Sequence, residues 1–140
     1  MGQLIVQRGA GDANVAKTTT ANSFTQEQTF KEVKDTVHAI TDGAAFEIDP
    51  ANGSIQTITL GANRTPKATN FAAGQIVLMG IDDGTAYTIT WTDATFGGSG
   101  VVWVAPGGTA SQPTLDTTGL TWVLLWKVGT QTYGAEVGQP

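Results

Sequence analysis

The chain has 140 residues, no cysteine, 14% charged residues and a formal net charge of −5. That length is one domain's worth, and the missing thiols exclude disulfides, thiolate metal sites and cysteine nucleophiles. An acidic chain with scattered lysine and arginine gains nothing from counterion release on a phosphate backbone, and no apolar run approaches the ~20 residues that span a bilayer, so neither nucleic acid nor membrane is an expected partner.

An average soluble domain has about 25% charged residues. Here the deficit is filled by threonine, glycine, alanine and short polar residues. Threonine suits a pleated, half-buried surface. Low charge with abundant threonine therefore predicts strands with a neutral outer face, and some surface hidden against other chains.

Residues 1–25 differ from the rest. Leu4-Ile5-Val6 is a short strand-like start, followed by Gly9, Gly11 and Asp12 and the tract Lys17-Thr18-Thr19-Thr20. The expectation is an extended N-terminal arm. It is either a disordered chain end or a docking element whose Leu4, Ile5 and Val6 pair with the sheet edge of another chain. The domain proper is expected over residues 26–140.

Thr25-Gln26-Glu27-Gln28 resembles a capping box, and Phe30, Val33, Val37 and Ile40 fall near one helical face. Residues 36–41 also alternate as a strand and end at Asp42-Gly43. A short helix or turn near residues 26–33, leading into a strand at 35–41, reconciles the two patterns. Strands follow at Ala45 to Ile48 and at Gln56 to Leu60, broken by Asp49-Pro50 and Asn52-Gly53.

Gln75 to Ile81 is apolar enough for a central strand. Asp82-Asp83-Gly84 then supplies turn chemistry, and Tyr87-Thr88-Ile89-Thr90-Trp91 alternates cleanly, which predicts a hairpin. Val101 to Val104 is a further short strand. Leu120 to Val128 places Leu120, Trp122, Leu124, Trp126 and Val128 on one face, with Val123 and Leu125 on the other. A strand buried on both sides reads this way. Gly129-Thr130 turns the chain, and Thr132 to Val137 closes it. The predicted fold is mainly β, an antiparallel β-sandwich or jelly-roll-like module.

Constellations for chemistry are missing. His38 is the only histidine, so no two-histidine metal site is available, and no serine stands in a G-x-S-x-G context. Asp42, Asp49, Asp82 and Asp83 lie beside glycine, proline or one another, where turns want them. The spaced oxygen ligands of a calcium loop are lacking. No catalytic, metal-binding or cofactor-binding residue is therefore expected, and the chain does not read as an enzyme. Of the four tryptophans, Trp91, Trp122 and Trp126 fit strands in a core or interface. Trp103, flanked by glycine loops, is the expected exposed aromatic for a partner or glycan.

One resemblance is carried by the order of several pieces. They are Ala39-Ile40-Thr41-Asp42-Gly43-Ala44, Thr57-Ile58-Thr59-Leu60-Gly61-Ala62-Asn63-Arg64-Thr65, Thr69-Asn70-Phe71 and Ala73-Gly74-Gln75. Next come Asp83-Gly84-Thr85, Tyr87-Thr88-Ile89-Thr90-Trp91, Pro113-Thr114-Leu115, Leu125-Trp126-Lys127-Val128-Gly129 and Tyr133-Gly134-Ala135. In this order they resemble a β module of virion decoration and fibre proteins of tailed bacteriophages. The resemblance covers about the C-terminal two-thirds of the chain. It implies a virion structural protein, often trimeric, with no catalytic residues to carry over. Fibres of this kind usually carry the module on a long shaft, and this sequence shows none. A capsid decoration (cement) protein or short head fibre is thus the first expectation, partnered by the major capsid protein or other virion proteins. The alternative is a tail-associated fibre, adaptor or receptor-binding module that grips glycans through Trp103.

Overall fold

A computed structural model describes residues 27, 29 and 31–139. The chain divides into Met1–Val33 and Lys34–Pro140, and the fold below is that of the second unit. Its strands are β1 (Val37–Ala39), β2 (Ile55–Thr59), β3 (Ile76–Asp82), β4 (Val102–Ala105), β5 (Gly108–Thr109), β6 (Leu120–Val128) and β7 (Gln131–Gly138). They stand in the order β1-β2-β3-β6-β7-β4-β5, with β5 a two-residue return on β4.

The fold is mainly β, as the turn-punctuated sequence predicts, but its pairing is mixed. β3–β6 and β6–β7 are antiparallel. β1–β2, β2–β3 and β4–β7 are parallel, which corrects the expectation of a purely antiparallel module. The β1–β2 and β2–β3 pairs are parallel because the chain does not double back after β1 or β2, nor does it turn straight back after β3. It drops instead to a second layer, made of short segments at 46–48, 64–67 and 88–90. These segments are linked by Lys67 N–H donating to Phe46 O (2.9 Å), Ile48 N–H to Lys67 O (2.8 Å) and Thr90 N–H to Arg64 O (2.8 Å). The bridges Glu47↔Lys67 and Arg64↔Ile89 are both parallel. Pro66 has no N–H to donate, so the ladder towards residues 88–90 stops there.

The predicted hairpin of residues 75–91 is corrected for the same reason. β3 lies between β2 and β6, and Tyr87 to Trp91 runs in the second layer, with Ile89 and Trp91 buried beneath the sheet. Alternation specifies that one side of a strand is buried but does not say against which layer. Among the described residues of the expected helix or turn at 26–33, none is helical; Lys31 is a bend. The strand expected at 35–41 shortens to β1. The arm expected at residues 1–25 lies outside the described residues.

The descents into the second layer stack on one another. Gly61 N–H donates to Asp42 Oδ2 (3.1 Å), Arg64 Nε donates to Asp42 Oδ1 (2.8 Å), and Arg64 Nη2 completes the pair at Oδ2. At the next level Leu60 N–H donates to Asp82 O (3.0 Å). There Gly84 adopts φ +72°, and a Cβ on it would lie 2.0 Å from Leu60 O.

The core fills the gap between the layers. Ile58, Val77, Met79, Ile81, Val123 and Leu125 come from the sheet, and Phe46, Ile48, Phe71, Ile89, Trp91 and Phe96 from the other side. Full burial of one such side chain is worth roughly 1.5–3 kcal/mol. Buried Gln56 joins them because its Nε2 donates to Asp49 O (2.7 Å) and Gly53 O (2.9 Å), tying the 3-10 turn Pro50–Asn52 to β2.

Asp42 and two further turn aspartates, Asp93 and Asp116, are held below the ordinary carboxylate range. Asp42 is lowered first by its hydrogen bond from Arg64. Asp93 is lowered by the Thr95 backbone N–H, then by the Thr95 hydroxyl. Asp116 is lowered by the Thr118 N–H and then its hydroxyl. Groups with depressed folded values stabilise fully above their unfolded value, about 3.9 for aspartate, and lose that contribution as pH falls through the folded value. Urea midpoints should therefore fall below about pH 4. In Asp42→Asn the fall should be shallower, because one of the three contributions is gone.

Candidate interaction surface

Strand alternation turns every second residue of the sheet away from the core, and register puts those residues side by side. One row runs Ile76 (β3), Trp126 (β6), Tyr133 (β7), Val102 (β4). The next runs Val37 (β1), Ile55 (β2), Leu78 (β3), Leu124 (β6), Ala135 (β7). A third holds Ala39, Thr57, Gly80 and Trp122. Each row crosses four or five strands and is apolar apart from Thr57.

Two contacts give this outer face its relief. The rings of Trp126 and Tyr133 stack, with centroids 6.0 Å apart and planes inclined by 18°. Trp122 lies across Gly80, where an added Cβ would come within 2.9 Å of its Cη2 and Cζ3. A bulky ridge along β6, with Trp122 filling the space over Gly80, thus borders a furrow of small residues at Ala39 and Thr57.

Every side chain on this face keeps solvent exposure, while Val77, Met79 and Ile81 on β3 and Thr121, Val123 and Leu125 on β6, which alternate with them, are buried. Ile76 is 55% exposed, Val37 62% and Val128 61%, and among the described residues the exposed large apolar side chains other than Val33 all lie on strands of this sheet. Scattered apolar exposure is ordinary, but a contiguous patch of this kind marks an interaction surface. Asp82, at one end, is the only charged residue among the described strand residues that share this face. β6 was expected to be buried on both sides. Its Thr121, Val123 and Leu125 side is buried, and its tryptophan side is half-open.

Trp103 lies on the opposite, core-facing side of β4. Its ring covers Gly134, meets Trp91 edge-on at 5.4 Å and 75°, and leaves part of its surface in a groove of about 330 Å³ shared with Ser111 and Glu136. Leu4, Ile5 and Val6 lie outside the described residues. His38 is half-buried at the β1 edge, paired in register with Gln56. Among the described residues no three His, Asp or Glu side chains are grouped to hold a metal, and no helix is long and apolar enough to cross a membrane.

The sequence carried a signal for the outer face. The set Leu120, Trp122, Leu124 and Trp126 is legible by alternation alone, but its exposure depends on which side the second layer covers. Comparison with family models, curated proteins and solved structures finds no match to this chain.

Proposed function

We propose that the chain is a structural protein of a tailed-bacteriophage virion, a capsid decoration or short head-fibre protein that binds the assembled head and stabilises it. The order of motifs from Ala39 to Ala135 supports this reading. The structural observation that carries it is the neutral, apolar outer sheet face, a surface suited to burial against protein. In this reading the chain is not an enzyme and needs no cofactor. It works by burying surface as a homo-oligomer, with trimers favoured, and by contacts to the major capsid protein. Anything that binds the assembled state and not its parts stabilises it by linkage.

A tail location is the second reading. The groove that brings Trp103 beside Ser111 and Glu136 favours it, because an aromatic surface next to polar groups suits a sugar, and its volume lies within the ~300–1,000 Å³ of ligand sites.

Co-sedimentation of the full chain with undecorated phage heads separates the two. Saturable binding at lattice stoichiometry is expected. Binding to tails, cells or polysaccharide, lost in Trp103→Ala, with none to heads, would overturn the head assignment.

A further inference from the structure

We infer that the outer sheet face is the joint between copies of this chain, the ridge of Trp122, Leu124 and Trp126 on one copy seating against the face of another. The inference extends the structural role proposed above and rests on it for its biological purpose. The physical case stands on the surface itself.

Size is the first consideration. Strands spaced ~4.8 Å apart and rising ~3.3 Å per residue give three rows of four or five strands a projected area on the order of 400 Å², before side-chain relief is counted. A stable interface takes about 800 Å² of accessible surface from each partner. A corrugated face of tryptophan, leucine and isoleucine comes within reach of that figure.

Charge selects the occupant. A chain of net charge −5 meets its own copy only through a surface that does not set carboxylates against each other. This face satisfies that condition, since Asp82 is at its end and no charged residue interrupts the rows above. The same neutrality gives a basic or acidic partner nothing to select. The relief suits self-association too. The β6 ridge and the furrow at Ala39 and Thr57 lie on one face, so each copy offers both halves of a fit. Two sheets packed face to face interdigitate in this way at about 10 Å.

The test is sedimentation equilibrium of the full chain over a concentration series, repeated for Leu124→Arg, Ile76→Arg and Thr90→Arg. Leu124 is central and half-open, Ile76 is largely exposed, and Thr90 is exposed outside the sheet. Far-UV circular dichroism and urea melting establish that each variant folds. The wild type should sediment at a multiple of 14.5 kDa. A charge forced into the buried joint should weaken association at least about 100-fold for Leu124→Arg and Ile76→Arg, and Thr90→Arg should leave it unchanged. A folded wild type that remains monomeric at 100 μM would overturn the joint. So would an oligomer that survives both face substitutions. A monomer that decorates heads would sink the joint and leave the virion reading standing. An oligomer broken by both substitutions that ignores heads would uphold the joint and remove the virion role.

Discussion

Gly84→Ala should cost about 3 kcal/mol or more of folding stability, a large share of the ~5–15 kcal/mol that holds a domain together. Two effects add. The residue sits at φ +72°, a left-handed conformation that costs an L side chain roughly 1–2 kcal/mol. The new Cβ would also lie 2.0 Å from Leu60 O. That carbonyl is backbone, and its residue is held by the Leu60 N–H bond to Asp82 O, so relief means moving two stacked corners. Gly43 provides the control. It has no positive φ, and a Cβ there meets nothing within 4 Å. Gly43→Ala should be close to neutral, or slightly stabilising through the unfolded chain. Urea melting of the two variants checks this, and equal losses would contradict the stacked-corner account.

Phe96→Ala should lose about 3–5 kcal/mol, because a large ring leaves a cavity that a two-layer core cannot close. Phe96 has no solvent exposure and meets Trp91 edge-on at 5.8 Å and 63°. It is held there by a 3-10 turn, Ala94–Phe96, whose N-cap Asp93 accepts from the Thr95 N–H (2.9 Å). Deleting the ring removes the shelf on which Trp91 rests, and Trp103 packs on Trp91 in turn. With a urea slope of about 1–3 kcal/mol/M, the midpoint should drop by roughly 2 M, and fluorescence should redshift as Trp91 takes up water.

The strands that sequence reasoning locates best are those with strong local patterns. β6 spans the residues read from alternation, 120–128, and β3 matches the apolar run from Gln75 to Ile81 but continues through Asp82, a residue read as part of the turn. Pairing was less legible. Asp42-Gly43, Leu60-Gly61 and Asp83-Gly84 all mark places where the chain leaves the sheet. Read singly, each looks like a hairpin turn. Read together, as glycines followed by Ala44, Ala62 and Thr85-Ala86, they are corners of one winding, spaced too unevenly to register as a repeat. Trp103 was read as the exposed tryptophan because glycine loops flank it. Composition of the loops says nothing about which side of β4 the ring takes; register with Gly134 puts it on the core side, where it stays half-exposed in the groove with Ser111 and Glu136. The outer face was visible as a set of residues. Its openness follows from the second layer covering one side only, a tertiary fact that periodicity does not encode.

Hydroxyl-radical footprinting read by mass spectrometry, across the concentration range of association, tests the outer face most directly. Trp122, Trp126 and Tyr133 are the reporters, and half-buried Trp103 on the other side of the sheet is the internal reference. The account predicts that labelling of the three reporters falls several-fold as copies associate, while that of Trp103 holds steady. Association with the three reporters still fully labelled would contradict it and place the joint elsewhere on the molecule.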